Sequence, residues 1–171
     1  ASRQFAAALL AQLCPQLLIA IERPGVTADG TYRTMRGQDI SEFTAKLDYL
    51  FVQHPRTVAI GDGGNEIGMG NVWPEISRMK TPLCIPSITS ATHLIISSVS
   101  NWGAYGLLAA MCDITGKDLL PGEAEETQMI RLLVELGAVD GVVGRRQETV
   151  DTFTVAENAA VLRRLRDLTE L

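Results

Sequence analysis

Hydrophobic positions along the chain fall into short apolar runs separated by polar, glycine-punctuated stretches and by segments with a helical repeat. Phe5, Leu9 and Leu13 recur every four residues until Pro15 stops the run, which predicts an opening helix with those three on its core face. "LLIAI" (17–21) and "TVAI" (57–60) are short apolar runs of strand length, and "HLIISSV" (93–99) reads as a third such strand, the pattern of strands buried on both faces. Between the first two, Ser41 is placed to cap a helix with Phe43, Leu47, Leu50 and Phe51 inward, ending near Pro55. After the second, Asn71 is placed to cap a helix through "NVWPEISRM", and Pro86 makes "LCIPSI" extended. Downstream, the segment ending "AAMCDITG" predicts a largely buried helix. Ile130, Leu133 and Val134 mark the face of another, which Gly137 ends in the left-handed conformation. "DGVVGRRQETVD" reads as a short strand and loop, and Thr154 with Glu157 forms a capping box for "VAENAAVLRRLRDL".

Strands alternating with helices predict an α/β fold: a mostly parallel sheet flanked by helices, a Rossmann-like layered architecture in a single domain. The strands' carboxyl ends then share one edge, where ligands bind. The three most polar, glycine-rich stretches, beginning at Glu22, Gly61 and Ser100, each follow a buried strand and are expected to converge there.

The second of these, "GDGGNEIGMG", carries Gly61, Gly63, Gly64, Gly68 and Gly70 together with Asp62, Asn65 and Glu66. A loop so rich in glycine predicts a backbone that comes close to something. Phosphate is the usual occupant, but GxGxxG fails at Glu66, and GxxxxGK[ST] fails because Met69 follows Gly68. Two carboxylates would also repel an anion. The loop suits a cation, either a divalent metal or a substrate ammonium. The competing reading is a tight turn whose acids face water. Glu22 and Arg23 could equally be a surface ion pair, Asp29 and Asp39 turn caps, Trp102 and Tyr105 packing residues, and Arg145 with Arg146 a solvated basic pair.

Composition narrows the partners. Fifteen basic against 20 acidic residues give a net charge of −5 with no basic–aromatic cluster, which argues against nucleic acid. No apolar run reaches membrane-spanning length, and the first residues lack a signal-peptide pattern. A soluble protein is expected, cytoplasmic or, in a eukaryote, of the mitochondrial matrix, and a homo-oligomer stays among the expectations. Cys14, Cys84 and Cys112, an odd set without CxxC spacing, read as buried reduced thiols. With only His54 and His93 beside them, zinc is disfavoured, and any metal must be held by oxygen. Mn²⁺ or Mg²⁺ on Glu22, Asp62 and Glu66 is the candidate.

"IERPG…DGTYRTMRGQDIS", "GDGGNEIGMGNV", "SVSNWGAYGL" and "GAVDGVVGRRQETVD" occur in the order and spacing of the D-glutamate cyclase-like C-terminal domain family, which the chain resembles from about Leu17 to its last helix. The whole chain, 1–171, is therefore expected to be such a domain. It departs from the family pattern at Ala104 and Thr152, where the family usually shows glycine. It also lacks the glycine- and proline-rich acidic segment with which the family domain opens. The resemblance implies a hydro-lyase interconverting D-glutamate and 5-oxo-D-proline plus water. For that chemistry, Asp62, Glu66 and Glu22 are the candidate catalytic acids. Arg23, Arg36 and Arg145 are candidates for gripping the substrate's carboxylates, and Asn65 and Asn101 complete the expected substrate contacts. Two other classes fit the same acids: a Mn/Mg-dependent hydrolase resembling a phosphatase, and a non-catalytic metal- or amino-acid-binding domain.

Overall fold

The computed structural model describes residues 1–79 and 85–169. They gather into two compact units, Ala1–Ser100 and Asn101–Leu171.

The first unit is built on three short strands, β1 (Leu18–Ile21), β2 (Thr57–Gly61) and β3 (His93–Ile96), in the order β1-β2-β3. Both pairings are parallel, with Ala20 opposite Ala59 and Ala59 opposite Leu94. All three segments therefore supply strands of one parallel sheet, and their carboxyl ends lie along one edge, as expected, although the third, expected to run to Val99, ends at Ile96 before Ser97 and Ser98. β2 is buried at every residue, because it has a neighbour on each side. β1 is not: Ala20 packs with Phe51, Ala59 and Ile67, whereas Ile19 and Ile21, on the opposite face, are about half exposed. The expectation of burial on both faces holds for the central strand and fails at the edge.

Helix α1 (Ser2–Leu13) forms where the four-residue repeat placed it and ends at Cys14, whose left-handed backbone turns the amide back onto the Leu10 carbonyl. Its inward side is different. Phe5 (70 %) and Leu13 (64 %) are exposed and Ala6 is buried, the small side chain facing the packing partner α2 (Asp48–Phe51). That helix is a single turn and is not capped by Ser41. The Ser41 hydroxyl instead accepts the Tyr32 amide, and Phe43 stands 85 % exposed in a turn. Asn71 likewise caps nothing: its side chain pairs with both backbone groups of Ala91, and the helical path runs as a 3-10 turn (Met69–Val72) into the one-turn α3 (Trp73–Ile76). Of "LCIPSI", Leu83 and Cys84 lie outside the described residues. Of the rest, Ile85 lies in a bend and Ser87 makes an isolated antiparallel bridge with Thr27.

Helix α4 (Ser100–Thr115) opens at the last residue of the first unit and supplies the core of the second. Tyr105, Ala109 and Cys112 pack with Leu120 and with Leu162 of α6 (Val155–Leu168), although Ile114 of the same helix is exposed. α5 (Glu123–Glu135) packs against α6 through Ile130, and Gly137 at φ 109° ends its run as expected; Leu133, expected inward, is about half exposed. The capping box of α6 is present, with Thr154 Oγ accepting the Glu157 amide at 3.3 Å and Glu157 accepting the Thr154 amide at 2.8 Å. β4 (Thr149–Val150) and β5 (Phe153–Thr154) form a small antiparallel pair. Trp102 and Tyr105 are packing residues here. Trp102 lies against Phe153 with ring centroids 4.7 Å apart and donates to Asn158, and Tyr105 donates to the buried Glu126. Cys112 is a buried free thiol, but Cys14 is exposed on the left-handed cap of α1, where no apolar wall covers it. Among the described residues no helix is long and apolar enough to cross a membrane.

Candidate functional site

The glycine-rich loop leaves the end of β2, and its glycines are explained by the protein itself. A Cβ on Gly68, whose φ is +99°, would lie 2.4 Å from the Ala59 Cβ; one on Gly70 would lie 2.3 Å from the Ile88 carbonyl oxygen. Gly61 would meet Met69 and Glu66, and Gly63 would meet Asn65 and Glu66. The close approach signalled by these glycines is therefore to the loop's own side chains, to β2 and to the segment at 87–89. That segment also accepts the amides of Gly68 and Gly70 on the Thr89 carbonyl, and Ser87 donates to the Gly64 carbonyl. On the other flank the loop is laced to residues 23–25: Ile67 donates to the Arg23 carbonyl and Gly25 to the Asn65 carbonyl, each at 2.8 Å.

This lacing folds Glu66 inward. It is 2 % exposed, and its Oε1 accepts the amides of Gly63 at 2.7 Å and Asp62 at 3.3 Å. Its Oε2 is buried with no hydrogen-bond partner among the described residues. Burial raises the Glu66 carboxyl above its ordinary value, and the neighbouring Asp62 charge adds to the rise, against the lowering effect of the backbone donors.

Asp62, next along from the end of β2, is half-buried. Its Oδ2 accepts two hydrogen bonds from Ser100, the backbone amide at 2.8 Å and the hydroxyl at 3.0 Å. Glu22, next along from the end of β1, is exposed and holds a positive φ of 52°, which a non-glycine residue seldom adopts. The two carboxylates bring oxygens within 4.8 Å of one another. Two like charges at that range in a partly desolvated edge repel, and a cation between them relieves the repulsion.

The other expected site residues fare differently. Arg23 is half-buried, and its Nε has no partner among the described residues. Asn65 spends its amide on the Arg33 carbonyl at 3.0 Å, so its side chain braces the 23–40 loop. Arg36 is exposed in that loop. Asn101 and Arg145 belong to the second unit: Asn101 hydrogen-bonds Tyr105, and Arg145 is exposed. Asp29 and Asp39 are turn residues, Asp29 accepting from Thr27 and Thr31 and pairing with Arg33, and Asp39 accepting the Ser41 amide. Two polar residues that sequence reasoning passed over matter to the frame. One is Ser100, which holds Asp62. The other is the buried Asp48, which accepts from the Val26 amide, Thr89 and Tyr32 and so ties α2 to both segments flanking the loop. A serine opening a helix directly after an apolar strand was the available signal for the first. Asp48 had none, because all its partners are remote in sequence.

The human mitochondrial D-glutamate cyclase is 29 % identical over 184 aligned residues, covering 89 % of this chain. The chain spans only 30 % of that relative's length. The model of the D-glutamate cyclase-like, C-terminal family matches residues 3–166, so nearly the whole sequence is accounted for, and the chain belongs to that family.

Proposed function

We propose that the carboxylates of Glu22, Asp62 and Glu66 form the working part of a D-glutamate cyclase site. The observation that carries this reading is the pairing of Glu22 and Asp62 at the carboxyl edge of the parallel sheet, their oxygens within 4.8 Å, beside a buried Glu66 with one unpartnered oxygen. In the ring closure of D-glutamate the α-ammonium gives up two protons, and one γ-carboxylate oxygen leaves with both as water, so the sum carries no net proton. Glu22 and Asp62 hold the ammonium, and Asp62 takes its first proton. Glu66, whose burial favours the protonated form, donates to the γ-carboxylate and neutralises it for attack by the amine. The second amine proton goes to the departing hydroxyl, and transfer from Asp62 to Glu66 resets the pair. Arg23, with its unpartnered Nε, is the side chain of the first unit suited to the substrate's α-carboxylate.

The oxygens of Glu22 and Asp62 also suit a hard divalent cation, since Mn²⁺ or Mg²⁺ prefers oxygen donors, whereas Glu66, expected as a third ligand, does not gather with them within 4.8 Å. Bound there, such an ion would supply charge neutralisation at the γ-carboxylate. The deciding experiment incubates the protein with D-glutamate, with and without Mn²⁺, and follows 5-oxoproline by chromatography, with phosphate release from a generic ester as a parallel assay. Formation of 5-oxo-D-proline supports the cyclase reading. Phosphate release without 5-oxoproline replaces it with the hydrolase.

A further inference from the structure

Among the described polar groups that the proposed mechanism leaves unused, Ser100 reaches the acids. Asp62 sits where β2 gives way to the loop, a place where an aspartate side chain ordinarily samples more than one staggered conformation. Both hydrogen bonds found on its carboxylate fall on the same oxygen, Oδ2, from the amide and the hydroxyl of one residue. Ser100 is itself fully buried and opens the sixteen-residue α4, and the turn leading to it is tied to the end of β2 by the Ser97 amide on the Gly61 carbonyl at 3.2 Å. The donor pair is therefore as fixed as the sheet. If Asp62 served only to cap α4, the backbone amide alone would satisfy that need. The hydroxyl adds a second hold on an oxygen already bonded, and its consequence is orientation.

We propose that Ser100 is a positioning residue of the acidic site, clamping Oδ2 of Asp62 so that Oδ1 is the oxygen presented, next to Glu22, to the ligand's cationic group. The assignment rests on the cyclase reading for the identity of that ligand but not for the clamp itself. In the reaction the clamp sets the direction from which Asp62 receives the ammonium proton, so its loss falls on kcat more than on KM.

The test uses Ser100→Ala, which removes the hydroxyl and keeps the amide. Cyclisation of D-glutamate should fall in kcat by about tenfold, the effect of losing one hydrogen bond to a charged group, with KM little changed and the thermal midpoint close to that of the parent protein. In the background of Asp62→Asn, the same substitution should cause no further loss, because Ser100 acts through Asp62. Equal effects in both backgrounds, or an unchanged kcat in Ser100→Ala, overturn the proposal. A second arm needs no substrate. Three-bond NMR couplings at the Asp62 β-protons should report one side-chain conformer in the parent protein and averaging in Ser100→Ala, and a single conformer in both overturns the clamp. If the parent protein turns over no D-glutamate while the couplings change as stated, the cyclase reading fails and the positioning role stands.

Discussion

Gly68→Ala separates two explanations of the glycine-rich loop, and the structure supplies the size of the effect. At φ +99° an alanine is strained by about 1–2 kcal/mol, the usual cost of left-handed backbone for a residue with a Cβ. Its Cβ would also lie 2.4 Å from the Ala59 Cβ and 3.0 Å from Leu94 Cδ1, inside the core between β2 and β3. Ala59 is fully buried and cannot rotate away, so overpacking adds about 1–3 kcal/mol. The sum, roughly 2–5 kcal/mol, is a large share of the 5–15 kcal/mol by which domains are ordinarily stable. At about 2–4 °C per kcal/mol for a chain of this size, the midpoint should fall by roughly 4–20 °C.

Two control substitutions divide that sum. Gly30→Ala, at φ +82° with nothing within 4 Å of its Cβ, should show the backbone cost alone, about 1–2 kcal/mol. Gly106→Ala, inside α4 with open space around it, should stabilise by about 0.5–1 kcal/mol through helix propensity. Thermal unfolding followed by circular dichroism gives all three. A Gly68→Ala protein as stable as its parent, or one that loses ligand binding at unchanged stability, would refute the argument that the glycine is there for the protein's own packing and return it to the ligand.

Three further outcomes follow from the site and its frame. Mn²⁺ or D-glutamate should raise the midpoint by mass action, by about 2.7 kcal/mol at a hundredfold excess over the dissociation constant. Asp62→Asn should blunt that rise and cut turnover to a small residual rate while leaving the unliganded midpoint nearly unchanged; full turnover in that variant removes Asp62 from the mechanism. Asp140 is buried, and burial alone would raise its carboxyl, but donors from Thr149, Thr152, Val143 and Val142 outweigh it and hold the group below its ordinary value. A folded value below the unfolded one means the stabilisation is complete above the unfolded value, near pH 4, and is lost as pH falls toward the folded one. Urea unfolding between pH 5 and pH 2 should show that loss, and Asp140→Asn should flatten it. Thr152→Gly should stabilise by about 0.5–1 kcal/mol, since relief of a β-branched residue at φ 76° exceeds the added freedom of glycine in the unfolded chain, and a lower midpoint in calorimetry would contradict it.

What could be read in the sequence was whatever short-range physics decides. The apolar runs at 18–21, 57–61 and 93–96 are strands because nothing polar interrupts them, and the Thr154–Glu157 box and Gly137 set helix ends from residues three or four apart. The common strand edge followed from alternation alone, and with it the meeting of Glu22 and Asp62. Two of the failures are cases where a distant partner took a group that local rules had assigned. Ser41 looked like a helix cap but accepts the Tyr32 amide, and Asn71 pairs with Ala91, twenty residues on. Strand β1 looked buried on both faces, but its place at the sheet's edge leaves Ile19 and Ile21 half exposed, a fact of strand order that no residue in the run carries.

The same distinction explains why an acidic loop and a glycine-rich loop coincide. A carboxylate at 2 % exposure is costly unless its charge is met or its proton is kept, and Glu66 meets the first need with backbone amides of the loop's own turn, those of Asp62 and Gly63 among them. That turn can close over the side chain only if position 63 has no Cβ, which would stand 3.0 Å from the very oxygen the amides hold. Positions 68 and 70 must likewise be bare for the chain to return along β2 and the 87–89 segment and seal Glu66 from water. The glycines thus serve the acid. They make the enclosure that raises Glu66's affinity for a proton, while Asp62, one residue past the strand and clamped from outside the loop, stays half open to the edge where Glu22 stands. Two carboxylates four residues apart thus meet different burial, the enclosed one with its carboxyl raised above its ordinary value, and on the proposed reading such a pair supplies the acid and the base for a dehydration that moves protons from an amine to a carboxylate.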